Sequence, residues 1–192
     1  MNYFYTVKSY LGMRKLNVSE LGRIDIEQFK LSKKLPLTII LDDVRSLYNV
    51  GSVFRTSDAF RVERIILCGI TATPDNCLVE IHKTALGAEE SVEWIYCDDC
   101  VSVVKELNDK GYVTIAVEQV EGSQKLDDFT VQPGSSYALV LGNEVKGVNQ
   151  EVVDNCRLSL EIPQYGTKHS LNVSVTAGLV IWEFFKQLKT LL

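Results

Sequence analysis

Leu37-Thr38-Ile39-Ile40-Leu41 runs directly into Asp42-Asp43-Val44-Arg45-Ser46-Leu47-Tyr48-Asn49-Val50-Gly51-Ser52-Val53-Phe54-Arg55-Thr56. The first five residues are apolar or β-branched and lie between Pro36 and Asp42, which predicts a short buried strand. The segment behind it has helical spacing near residues 50–60, with Asn49 suited to cap it. The alternation recurs along the chain. Arg64–Cys68, Val92–Tyr96, Tyr112–Val117, Tyr137–Leu141 and Leu158–Ile162 read as strands, and 76–88, 99–109 and 149–155 as helices. Strands alternating with helices predict an α/β fold, a mostly parallel sheet with helices on both faces.

The 192 residues (21.6 kDa) suit one domain with a short extension, and 46% hydrophobic with 23% charged residues is an ordinary globular composition. Disordered, collagen-like and disulfide-scaffold classes are excluded. No apolar run reaches ~18 residues, so no membrane span is expected. The N-terminus has no signal-peptide pattern, and a cytoplasmic protein is expected. Five cysteines, an odd count, point to free thiols. Cys97 and Cys100 have CxxC spacing, but no second pair completes a four-ligand zinc site, so no metal is expected.

The net charge of −5 is unevenly placed: residues 1–35 carry seven bases and three acids, or +4, leaving −9 for the remainder. An acidic body disfavours general nucleic-acid binding. The basic N-terminal extension, 1–35, could still contact RNA locally through Lys8, Arg14, Lys15, Lys33 and Lys34, or serve only as a solvated leader; the domain proper is expected over 36–192.

Leu171 to Leu188 predicts a long helix, with Ser170 as its N-cap. It is apolar nearly all round. Leu171, Val175, Leu179 and Trp182 fall on one face, and Val173, Ala177, Val180, Ile181 and Phe184 around the other. One stripe suffices for a surface helix, so the second face is expected to meet another subunit, with a central core helix as the alternative.

Three loops follow strands, where open α/β sheets bind ligands. In the first, Gly51 and Ser52 would let a backbone or phosphate approach the helix that carries Arg55, itself a candidate ion-pair partner of Asp58 or Asp42. The second is Gly142-Asn143-Glu144-Val145-Lys146-Gly147, and the third runs from Ile162 through Ser170 to Asn172. There is no GxGxxG after a strand, no GxxxxGK[ST] and no GxSxG, so dehydrogenase, P-loop and hydrolase readings lack support.

Asn49-x-Gly-x-x-x-Arg55, Leu139-Val-Leu-Gly-Asn-Glu144 and Ile162-Pro-x-x-Gly-x-x-x-Ser-Leu-Asn-Val-Ser174 resemble, in order and spacing, the three signature motifs of the SpoU/TrmH-type RNA ribose 2′-O-methyltransferases of the SPOUT superfamily. The resemblance covers about residues 36–188. It implies a C-terminal trefoil knot, an exception to the rule that chains avoid knots. It also implies S-adenosylmethionine as cofactor, a homodimer with its active site at the subunit interface, and an RNA substrate. Asn49, Arg55, Glu144, Ser170 and Asn172 correspond to the family's active-site residues. Cofactor contacts would fall at Val117, Gly142, Ile162 and Leu171.

Methyl transfer to a ribose hydroxyl is an in-line displacement helped mainly by positioning and charge placement. The resemblance assigns Arg55 to activating that hydroxyl. A guanidinium does not ordinarily deprotonate, so Arg55 either has an altered environment or holds a phosphate and the developing alkoxide as a cation. Relatives act on tRNA or rRNA. The short leader tilts the expectation toward tRNA, with an rRNA methyltransferase, or a non-catalytic RNA-binding protein on the same fold, as the alternatives.

Overall fold

The computed structural model describes residues 14–192. Seven strands form one sheet in the order β3-β2-β1-β6-β4-β7-β5, and every pairing is parallel. They are β1 (Leu35–Asp42), β2 (Val62–Cys68), β3 (Glu93–Cys97), β4 (Val113–Val117), β5 (Gln124–Lys125), β6 (Tyr137–Leu141) and β7 (Leu158–Glu161). The helices are α1 (Ile26–Leu31), α2 (Leu47–Ala59), α3 (Pro74–Ala85), α4 (Ala88–Ser91), α5 (Cys100–Asp109), α6 (Gln150–Asn155) and α7 (Val173–Leu188).

Strand periodicity divides β1 between two cores. Leu35, Leu37, Ile39 and Leu41 face α2 and α7, where they meet Val50, Val53, Phe54, Ala177, Val180, Ile181 and Phe184. Ile40 faces the other way, into a layer with Val103, Val104 and Leu107 of α5 and Val152 of α6. Helices therefore cover both faces, as expected for a parallel sheet whose strands are apolar throughout. Phe184 is fully buried, its ring 5.1 Å from that of Tyr137 and 5.5 Å from that of Phe129.

Several local expectations are corrected. Ser46, not Asn49, caps α2: its Oγ accepts the Asn49 N–H at 3.3 Å, and Asn49 sits inside the first turn. Asn172, not Ser170, caps α7, its Oδ1 accepting from Ser174 N at 2.9 Å and Val175 N at 3.3 Å. Gly51 admits no ligand. A Cβ there would lie 2.2 Å from Thr84 Oγ1 and 2.3 Å from the Ile81 carbonyl oxygen, so this glycine lets α2 pack on α3. The helix expected over 76–88 ends at Ala85, because Leu86 turns left-handed (φ 53°) and α4 begins three residues on. Short α1, with its Asp25–Gln28 capping box, and edge strand β5 lack the length to announce themselves by periodicity.

Candidate active site

The carboxyl ends of the strands carry a cavity of ≈ 670 Å³. Its walls include Val117 and Glu118 at the end of β4, the 142–148 loop after β6, and Ile162 to Val173 between β7 and α7. Of the residues singled out from sequence, Val117, Gly142, Glu144, Ile162, Ser170, Leu171 and Asn172 all line it.

Asn49 does not line the cavity, but hydrogen bonds tie it to two residues that do. Glu144 Oε1 accepts from Asn49 Nδ2 at 2.9 Å, and Asn49 Oδ1 accepts from Asn172 Nδ2 at 3.1 Å. One amide thus joins all three motif loops. Glu144 also accepts from the main-chain N–H groups of Arg45 (3.0 Å) and Ser46 (2.9 Å). Partial burial pushes its carboxyl up, but these three donors outweigh burial and hold it below the usual carboxylate range. Glu144 is therefore a bonded anion at neutral pH, a splint between loops.

Glycine is required at the second loop. A Cβ on Gly142 would meet Gly147 C and Val148 N, both at 2.2 Å, because the backbone crosses itself there. Asn143 Nδ2 donates to the Asp43 carbonyl at 2.8 Å and its Oδ1 accepts from Val145 N and Lys146 N, at 3.0 and 3.1 Å. Its local turn signal was legible; its grip on the loop after β1 was not.

Arg55 is exposed on α2 and lines no part of the cavity. Among the described residues it forms no ion pair, with Asp58 or Asp42 or any other acid; Asp58 instead accepts from Ser91 Oγ at 2.6 Å. The leader residues lie elsewhere. Lys8 is outside the described residues. Arg14 is held by Glu20 at 2.8 Å, and Lys15 is exposed. Lys34 is committed to local structure: its Nζ donates to the Phe29 carbonyl, to Ser32 O at 3.0 Å and sits 4.2 Å from the Phe29 ring centroid. Lys33 and Lys34 precede β1, whose carboxyl end faces the cavity, and at ~3.3 Å per residue a strand of this length separates them from it by roughly 23 Å. Within one chain they are not cavity cations. Exposed Arg45, Lys146 and Lys168 sit on the motif loops instead.

Cys97 and Cys100 are free thiols, and no cluster of three metal-ligating side chains occurs among the described residues. Burial, helped by the nearby Asp42 charge and opposed by a Thr114 hydrogen bond, pushes the Cys156 thiol up to about 12, so it is inert.

Comparison with known proteins agrees with the motif geometry. Residues 36–182 match the SpoU rRNA Methylase family. The chain belongs to this family. The 23S rRNA (guanosine-2′-O-)-methyltransferase RlmB of Haemophilus ducreyi is 31% identical over 88% of this chain and 67% of its own length. The crystal structure of the A. aeolicus TrmH/SpoU tRNA modifying enzyme superposes with a TM-score of 0.74 at 26% identity, covering 86% of this chain and 83% of that one. An AdoMet-bound rRNA methyltransferase from Sinorhizobium meliloti gives 0.72 at 25% identity over 79% of this chain and 56% of that one. The chain spans about two thirds of the length of the curated relatives it matches. In this SpoU family member, the three motif loops and all of the sheet but Leu35 fall within the matched residues, 36–182.

Proposed function

We propose that this SpoU family member transfers a methyl group from S-adenosylmethionine to a ribose 2′-hydroxyl of structured RNA, acting as a homodimer. The observation that carries the reading is the cavity at the strand ends, walled by the second and third motif loops and tied to the first by the Glu144–Asn49–Asn172 chain of hydrogen bonds. Its ≈ 670 Å³ is within the ~300–1,000 Å³ typical of small-molecule sites. The Gly142–Gly147 crossing brings bare backbone to the cavity wall, which fits a cofactor held mainly by main-chain groups. When bound, the cofactor supplies an electrophilic methyl group on a sulfonium. Val117, Gly142, Ile162 and Leu171 hold it; Glu144 and Asn172 fix the loops that orient it, and Ser170 is the exposed hydroxyl beside them.

Arg55 acts as a cation that holds a phosphate and the developing alkoxide, a guanidinium being fully charged at any working pH. Since it lies outside its own chain's cavity, a second copy brings it to the site. The dimer is supported by α7, which buries Val173, Ala177, Val180, Ile181 and Phe184 but leaves Val175 51%, Leu179 41% and Trp182 48% exposed, continuing a stripe begun by Leu171 at 39%. Trp182 also stacks on Phe185 at 5.6 Å and meets Phe60 edge-to-face at 5.5 Å, so the stripe is built on an aromatic base. Burial of such a stripe is worth ~25 cal/mol per Å² removed from water.

We infer tRNA as the substrate, supported by the likeness to the A. aeolicus tRNA modifying enzyme over most of that enzyme's length. rRNA is the second reading, favoured by the RlmB relative. Titration calorimetry with S-adenosylmethionine, followed by tritium transfer to tRNA and rRNA from a strain lacking the gene, tests the proposal. Cofactor binding, with label in tRNA that Arg55→Ala abolishes, is expected. Label confined to rRNA would select the second reading, and no cofactor binding would leave an RNA-binding protein without catalysis.

A further inference from the structure

We infer that Glu118 is a positioning residue for the cofactor, a bracket that sets the spacing of the cavity walls; this rests on the cavity being the S-adenosylmethionine site. Glu118 follows β4 and lies outside all three motifs. Its own backbone is fixed to β7: its N–H donates to Leu160 O at 3.0 Å, and its carbonyl accepts from Ser159 Oγ at 3.0 Å. From that anchor its carboxylate reaches the loop after β6. Oε2 accepts from Val148 N at 3.0 Å while Oε1 accepts from Gln119 N at 2.9 Å.

The loop is shaped to receive it. Gly147 is left-handed (φ +70°), and a Cβ there would lie 2.1 Å from Glu118 Oε2. The glycine therefore serves its own conformation and the carboxylate's seat together. The next residue braces the remaining wall, Gln119 Nε2 donating to the His169 carbonyl at 2.9 Å. Residues 118 and 119 thus connect the end of β4 to both other walls of the cavity. A carboxylate suits the task because it offers acceptors to two N–H donors at once. An amide must turn its NH2 toward one of them.

Glu118→Gln tests this. By calorimetry the Kd for S-adenosylmethionine is expected to rise about tenfold, equivalent to ~1.4 kcal/mol. The KM for the cofactor should rise in parallel, with kcat at saturating cofactor and KM for RNA within about twofold of wild type. A second variant checks the geometry: Gly147→Ala should weaken cofactor binding strongly in the wild-type background and much less when Glu118 is already alanine, because the clash partner is gone. Unchanged cofactor affinity in Glu118→Gln, or a fall in kcat and melting temperature without a shift in cofactor KM, would overturn the inference. Additive effects of Gly147→Ala and Glu118→Ala would overturn it too. Absence of cofactor binding by the wild-type protein would instead refute the proposed function, so the two failures are distinguishable.

Discussion

The loop after β1 and the loop before α7 border the same site but are built in opposite ways. In the first, four successive main-chain N–H groups are all taken: Asp43 by Cys68 O (3.3 Å), Val44 by Thr71 Oγ1 (2.9 Å), and Arg45 and Ser46 by Glu144. Asp43 even holds a left-handed backbone (φ 54°), stabilised by its carboxylate accepting from Ile70 N at 2.9 Å. In the second, Tyr165 to Asn172 is exposed throughout, and among the described residues two hydrogen bonds tie it to other segments, through His169 O and Asn172 Nδ2. Tyr165 is 93% exposed. One loop is preorganised; the other is left open to solvent. Preorganised polar groups at a reacting centre act without rearranging during the step, while a looser wall lets large substrates in and out.

Glu144→Ala should break the contrast most severely. It strands two main-chain donors and the Asn49 amide, so methyl transfer should fall at least about 100-fold, the size of one or two charge-assisted hydrogen bonds. Hydrogen exchange over 43–49 should rise toward that of 163–171. Trp182→Glu, on the exposed stripe that the second loop feeds, comes next. Sedimentation should show a monomer in place of a dimer, with the fold retained by circular dichroism and cofactor affinity at least about tenfold weaker.

Acid should loosen the first loop alone. The folded-state pKa of Glu144 is lowered, so its contribution is fully present above the ordinary carboxylate range and is lost as pH falls through the depressed value. Exchange over 45–49, corrected for its intrinsic pH dependence, should stay flat above the ordinary carboxylate range and rise only as pH falls below it. The smallest effect belongs to Gln119→Ala: the His169 carbonyl is exposed and water replaces the amide, so thermal unfolding should register less than about 1 kcal/mol.

The sheet was legible in the sequence because strands such as Leu37–Leu41 and Tyr137–Leu141 are short, apolar and punctuated by turns. The site was legible because the three motifs sit at the carboxyl ends of β1, β6 and β7. What stayed hidden depends on contacts far apart in sequence. Asn49 and Ser46 are both good caps, and only the bonds of Asn49 to Glu144 and Asn172, distant in sequence, explain why the serine takes that role. Gly51 resembles a ligand-approach glycine until α3 is seen against it. Lys34 looks like a free cation until Phe29 and Ser32 are found beneath it. Glu118 carries no local signal beyond being a carboxylate one residue past a strand end. The trefoil knot came from the motif resemblance alone; no feature of the apolar pattern encodes it.

The most direct test of the account is the chemical position of the transferred methyl group. tRNA and rRNA labelled with tritiated S-adenosylmethionine would be digested to nucleosides and separated. The account predicts radioactivity in a 2′-O-methylated nucleoside, lost in Arg55→Ala. Radioactivity in a base-methylated nucleoside, or none in either RNA despite bound cofactor, would contradict it.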